Sequence, residues 1–309
     1  MAHPALSISV AGIAFQNPVL LAAGTAAYGR ELSGVLDLEA LGGIVTKAVS
    51  VERRGGAPAP RVAEFEGGMI NAVGLANPGV EEVRSTHLPW LEKNLKRAKA
   101  LVNVVGNSVE DYAAVIARLD GSTAVSGYEL NVSCPNVKAG GVEFGADPAT
   151  LTDVVRRSRA ATAKPIFVKL SPTLPDIGRA ARIAADAGAD GISVVNTLPG
   201  LMIDVERRKP ALGFGTGGVS GAGLLPVGVL ATYKVARAVR LPIIGVGGIN
   251  GATDIVQYLM AGASLVAVGT AAMQQPRLPE KLVGDLERWC AAHGVGSLGE
   301  LTGALTWET

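Results

Sequence analysis

Apolar, β-branched runs of four or five residues recur along the chain with helix-patterned segments between them. This alternation narrows the possible folds more than any other feature. Eight runs read as core strands: residues 19–22, 43–46, 101–105, 128–131, 166–170, 191–195, 243–246 and 265–268. Strands separated by helices form a parallel sheet, and strands covered on both faces read as continuous apolar runs. Eight of them favour closure into an α/β (β/α)8 (TIM) barrel over an open doubly wound sheet. Ahead of them, 6–10 and 13–15 flank Ala11-Gly12 and read as a small β-hairpin. Helices are expected at 109–119 behind Ser108 as N-cap, at 149–163 behind Asp147-Pro148, at 176–187 before Gly188 and at 252–260 before Gly262. A late helical stretch, 282–292, carries Cys290 as a structural residue. No low-complexity linker interrupts the pattern, so residues 1–309 are expected to form one domain.

Composition removes several classes of function. The chain has 309 residues, 48% of them apolar, which is enough for a large core. A net charge of +1 and 4% aromatic residues lack the basic footprint and stacking groups of a nucleic-acid binder. Two cysteines cannot form a disulfide scaffold or ligate an iron–sulfur cluster alone. No group of His, Cys and carboxylates has metal-ligand spacing, and His3, His87 and His293 fall in no motif. Met1-Ala2-His3-Pro4 opens no secretory signal. Two uncharged stretches, 210–233 and 255–276, are long enough to cross a bilayer. The first is broken by Gly213, Gly215, Gly217, Gly218 and Gly221, and the second carries Gln257, Tyr258, Ser264, Thr270, Gln274 and Gln275. Both read as buried barrel segments, so no membrane contact is expected and the cytoplasm is the expected location.

The polar residues gather at the C-terminal ends of the strand runs, where barrels of this kind build their sites. In order, these ends carry Ala23-Gly24-Thr25, Thr46-Lys47, Asn103, Asn131, Lys169, Asn196-Thr197, Gly247-Gly248 and Gly269-Thr270. Two lysines and three amides in otherwise apolar strands are costly to bury singly. At equivalent places in successive units they point to one convergent site. Glycines after the seventh and eighth strands stand at the recurrent phosphate position. Lys169 faces a need for an anionic or electron-rich target in the barrel mouth. Cys134, just past a strand end and followed by Pro135-Asn136, is the candidate reactive group, with 138–145 as a candidate lid. The two long connections, 48–100 and 197–240, are expected to be functional.

Asn131-Val132-Ser133-Cys134-Pro135-Asn136 resembles the active-site loop of the soluble class 1 dihydroorotate dehydrogenases. The 68–79 segment, from Gly68-Met69-Ile70-Asn71 to Pro78-Gly79, is similar to that family's substrate-binding segment. Asn196-Thr197 with Asp204 and Arg208-Lys209-Pro210, then Ser220-Gly221, Gly247-Gly248 and Gly269-Thr270, follow in the family's order. The resemblance runs from about Phe15 to about Met273. It implies a TIM barrel holding FMN at its mouth. Carried over by position, Ala23, Lys47, Ala48, Asn103, Asn131, Lys169, Val195, Gly221, Gly247, Gly248, Gly269 and Thr270 are implied to contact FMN. Lys47, Asn71, Ala72, Val73, Gly74, Leu75, Asn131, Asn196 and Thr197 are implied to hold dihydroorotate or orotate. A carboxylate on a ring of amide donors and acceptors suits one lysine and several asparagines. Cys134 is implied as the general base at substrate C5, with hydride leaving C6 for the flavin.

Cysteine at position 134 separates the chain from the membrane-bound, serine-using class 2. Residues 60–64 leading into 69–75 look more like the NAD-linked B-type than the fumarate-linked type. The B-type resemblance implies a homodimer of this subunit joined to an electron-transfer subunit carrying FAD and [2Fe–2S], a heterotetramer. The fumarate-linked class 1 enzyme without a partner subunit, a dihydropyrimidine dehydrogenase-like module, a flavin-free phosphate-handling barrel and a non-catalytic flavin-binding subunit are the alternatives. The chain departs from the family pattern at Ala222-Gly223-Leu224-Leu225-Pro226, which lacks a usual lysine, and at Ala23, often serine.

Overall fold

The computed structural model describes residues 6–133, 135–136 and 142–307. The chain opens with β1 (Ile8–Val10) and β2 (Ile13–Phe15), then β3 (Val19–Leu21) and β4 (Gly43–Val45). Before the next barrel strand come β5 (Val62–Phe65), β6 (Gly68–Asn71), α1 (Val80–Glu82) and α2 (Leu88–Asn94), the last two joined by a π turn at Val83–His87. β7 (Lys99–Val104), α3 (Val109–Leu119), β8 (Gly127–Asn131), β9 (Pro135–Asn136), β10 (Val142–Glu143), α4 (Pro148–Ala160), β11 (Ile166–Leu170), α5 (Ile177–Asp186) and β12 (Gly191–Val194) follow. The chain continues through β13 (Leu198–Leu201), β14 (Ile203–Asp204), β15 (Lys209–Pro210), β16 (Thr216–Gly221) and α6 (Leu225–Ala238). It ends with β17 (Ile243–Val246), α7 (Ala252–Met260), β18 (Leu265–Val268), α8 (Thr270–Gln274) and α9 (Leu278–Ala292).

The expected barrel forms. β3, β4, β7, β8, β11, β12, β17 and β18 pair in that order, every pair parallel, and β18 closes on β3. Its strands fall on the eight apolar runs with ends shifted by at most two residues. The helix expected at 149–163 stops at Ala160, because Thr162 turns aside to hydrogen-bond Asp120. Its start is set by the Asp147 carboxylate, which accepts from the Thr150 N–H at 2.8 Å. At α3, Ser108 and Asp111 cap reciprocally. The last helix starts earlier than 282, at Leu278, with a proline in its first turn, where the missing N–H costs nothing.

The two long connections are more than loops. β13, β16, β6 and β5 form one antiparallel sheet, with Gly218 opposite Asn71 and Gly221 opposite Gly68. Segments almost 150 residues apart thus build one surface beside the barrel. Period-two reasoning misses these strands because they are short and three of the four carry glycine. The stretches 210–233 and 255–276 divide into strand and helix, and no helix of the described residues is long and apolar enough to cross a membrane.

Inside the barrel, strand alternation separates two environments. Leu20, Leu101, Phe167 and Leu265 pack with Val10 and Phe15 of the hairpin, which plugs the N-terminal end. Two residues further along the same faces stand Asn103 and Lys169, both buried. The lower barrel is therefore apolar and the upper barrel polar. The Phe167 ring occupies the space beside Gly191, where a β-carbon would come within 2.4 Å of it. Phe167→Ala should cost about 3–5 kcal/mol. The check is urea unfolding, with the midpoint lowered and the slope unchanged.

Candidate active site

Glu129 stands in β8 between Asn103 of β7 and Phe167 of β11, with both as register partners. Its carboxylate is buried and accepts from Asn103 Nδ2 at 2.7 Å. The buried ammonium of Lys169 lies 3.6 Å from the same Oε1. A lysine and a carboxylate inside a barrel are tolerable only as partners, since removing one member of such a pair costs about 3–5 kcal/mol. Ser193 faces the same interior, as the register partner of Lys169, and its hydroxyl is buried with no hydrogen-bond partner. Glu129 and Ser193 are absent from the sequence expectation. The signal for Glu129 was present: it lies two residues before Asn131, hence on the same face, in a strand otherwise apolar.

The predicted substrate residues Asn71, Asn131, Asn196 and Thr197 are drawn together from β6, β8 and the segment after β12. Asn196 Nδ2 donates to Asn131 Oδ1 at 3.2 Å, and the Thr197 N–H donates to Asn196 Oδ1 at 2.8 Å. The Thr197 side chain lies over Gly218, where a β-carbon would meet its Oγ1 at 2.0 Å. Asn71 Nδ2 donates to the Gly218 carbonyl at 3.3 Å. Asn71, Thr197, Asn196 and Asn131 therefore form one continuous polar row at the barrel mouth, possible only because β6 and β16 pair. Asn131 is held from behind as well, its carbonyl accepting from Tyr112 Oη at 2.9 Å. Ala72, Val73, Gly74 and Leu75 continue from Asn71, anchored by Ala72 N–H to Arg61 O at 2.8 Å and Ala57 N–H to Val73 O at 3.2 Å. Lys47 is half-buried at the end of β4, its N–H bonded to Ala27 O at 2.7 Å. Ala48, next to it, is held by Tyr28 Oη on its carbonyl at 3.0 Å. Ala23 follows β3 and is half-buried, and Val195 follows β12 and is buried, its N–H bonded to Val246 O at 3.0 Å.

The glycine positions converge on a second zone. Gly221 ends β16 in close contact with the backbone of Gly68, which leaves no room for a side chain. Gly248 has a φ of +73° and lies against the start of α6, where a β-carbon would stand 2.3 Å from Leu225 N. Tyr258 Oη donates to the Gly247 carbonyl at 2.7 Å and pins that turn. Thr270, at the start of α8, donates to Ser220 Oγ at 2.8 Å, which ties the eighth strand end to β16. Cys134 and residues 138–141 of the expected lid lie outside the described residues. Cys290 is buried in α9, as its structural reading expected. Among the described residues no group of His, Cys and carboxylates could hold a metal.

The sequence model described as dihydroorotate dehydrogenase matches residues 5–289. Proteins named dihydroorotate dehydrogenase B (NAD(+)), catalytic subunit, from Geobacter sp. (strain M21) and Citrifermentans bemidjiense are each 45% identical over 305 residues, 99% of this chain and 99% of theirs. One of the same name from Pelobacter propionicus is 45% identical over 302 residues, 98% of this chain and 99% of its own.

The packing at Gly248 makes a direct expectation. Gly248→Ala should destabilise the fold by about 1–3 kcal/mol through overpacking and positive-φ strain. Gly223→Ala, with open space around its β-carbon, should stay within about 0.5 kcal/mol of the parent. Parallel thermal and urea unfolding of the two variants reads the difference.

Proposed function

The chain belongs to the dihydroorotate dehydrogenase family, and on that premise we propose that it oxidises dihydroorotate to orotate in pyrimidine biosynthesis with FMN held at the barrel mouth. The observation that carries this reading is the row Asn71, Thr197, Asn196 and Asn131 beside the buried Lys169. It offers amide donors and acceptors to a planar ring, next to a cation. FMN when bound supplies the acceptor for the substrate hydride. Two features support it. The Ser193 hydroxyl adds a further polar group to the buried layer that holds Lys169. The glycines at 221, 247, 248 and 269 bring backbone rather than side chain to the phosphate position.

In this reading Asn103, Asn131 and Lys169 hold the flavin ring, with Ala23, Lys47, Ala48 and Val195 along its edge. Gly221, Gly247, Gly248, Gly269 and Thr270 take its phosphate end. Lys47 answers the substrate carboxylate, while Asn71 to Leu75, Asn131, Asn196 and Thr197 orient the ring for removal of the C5 proton by Cys134. The names of the relatives favour NAD over fumarate as final acceptor, and their description as a catalytic subunit favours a partner. The protein would then pass electrons to NAD through a separate subunit carrying FAD and [2Fe–2S], in a heterotetramer built on a homodimer of this single-domain chain, in the cytoplasm.

Anaerobic mixing of the FMN-loaded protein with dihydroorotate should bleach the visible flavin absorbance, and an unbleached spectrum would overturn the proposal. Cys134→Ala should retain its flavin and lose most of this reduction. An unperturbed thiol titrates near about 8.5 and only the thiolate acts as base, so the rate should rise from neutral to mildly alkaline pH. A rate flat across that range would remove Cys134 from the role.

A further inference from the structure

The buried carboxylate of Glu129 is not used by the chemistry above, yet it touches two residues that are. Each stands on a strand paired directly with β8, Asn103 on β7 and Lys169 on β11. Both meet it at the same oxygen, Asn103 at 2.7 Å and Lys169 at 3.6 Å. The first distance is a hydrogen bond, and the second is too long for one. The amide therefore anchors the carboxylate, while the carboxylate holds the ammonium by charge without occupying its donors at bonding distance. The ammonium is steered to one place and remains able to donate upward into the mouth. Beneath it lie Phe167 and Leu101, so no solvent route offers another counter-ion from below.

We propose that Glu129 is a positioning residue for Lys169 and offsets the charge that Lys169 presents to the flavin, keeping this pair close to neutral rather than cationic. The inference rests on the flavin reading of this site. A ring that accepts a hydride takes two electrons and one proton and so gains one negative charge. A lone buried cation would hold that charge tightly and make the reduced flavin a poor donor to the next carrier. The Glu129 carboxylate offsets the cation, so the reduced ring is stabilised but not trapped. The separation from Glu129 to Lys169 is short and both side chains are buried, so charge there is weakly screened.

The test is the midpoint potential of FMN bound to the anaerobic holoenzyme, titrated against redox dyes, together with its flavin content. Glu129→Gln keeps the acceptor for Asn103 and removes the charge. It should shift the two-electron equilibrium at least about tenfold toward reduced flavin, which is about 30 mV upward. Glu129→Asp keeps the charge and should stay within about threefold of the parent. An unchanged potential in Glu129→Gln overturns the proposal, and so does an equal shift in Glu129→Asp, which would mark shape rather than charge as the cause. If Glu129→Gln does not fold, Lys169→Gln is compared with the double variant Lys169→Gln/Glu129→Gln. A higher potential in the double variant supports the proposal, and equal potentials overturn it. A parent protein that takes up no FMN at all would refute the flavin reading itself, a result distinct from each of these.

Discussion

Among the described residues the buried charges of this barrel lie at one end of its interior and only as a pair, Lys169 with Glu129. Its strands are covered on the outside by helices, and its interior is filled by their inward side chains. In this chain the lower interior is sealed by Val10 and Phe15 of the opening hairpin against Leu20, Leu101, Phe167 and Leu265. That seal leaves the C-terminal mouth as the place where polar side chains can be both buried and reachable. Asn103, Glu129, Lys169 and Ser193 occupy it. The pairing of Lys169 with Glu129, fixed by the Asn103 amide, stabilises this layer, because either charge alone would be costly to bury there.

The rest of the site depends on that layer. Asn131 lies two residues past Glu129 and projects from the same face, so the strand that buries the carboxylate also raises the amide to the rim. Just past β12 Asn196 meets Asn131 and Thr197 bonds Asn196, and the sheet formed by β6 and β16 carries Asn71 toward them. Charge sits deep, amides sit at the rim, and glycine turns flank them. The order from apolar floor to hydrogen-bonding rim follows from a two-residue period applied to strands of equal direction.

Tight packing outside the barrel supports the glycine turns. Tyr258 lies against Gly245 and Gly228, where any β-carbon would collide with its ring or hydroxyl, and its hydroxyl reaches the Gly247 carbonyl. A tyrosine on α7 thus positions a turn after β17, and small residues on α6 and β17 make space for it. Tyr112 on α3 does the same for Asn131. These supports come from helices that the sequence marks only by a start at Ser108 and a stop before Gly262.

The eight barrel strands, their direction and the strand-end residues Lys47, Asn103, Asn131, Lys169, Asn196 and Gly247-Gly248 were legible in the sequence. Each is a local signal: an apolar run, a stop and a polar residue at the stop. The pairing of 68–71 with 216–221 was not legible, because a short glycine-rich strand has no period and its partner lies almost 150 residues away. Nor was the union of Asn71 with Thr197 over Gly218, which needs that sheet. Glu129 carried a local signal, a charge in a buried strand, but its meaning required the register that sets it between Asn103 and Lys169. By itself the sequence determined which faces are apolar and where each strand stops, since these follow from residue type and period. The tertiary structure decided which polar groups share a neighbour, since that depends on barrel closure and on contacts between residues far apart in the chain.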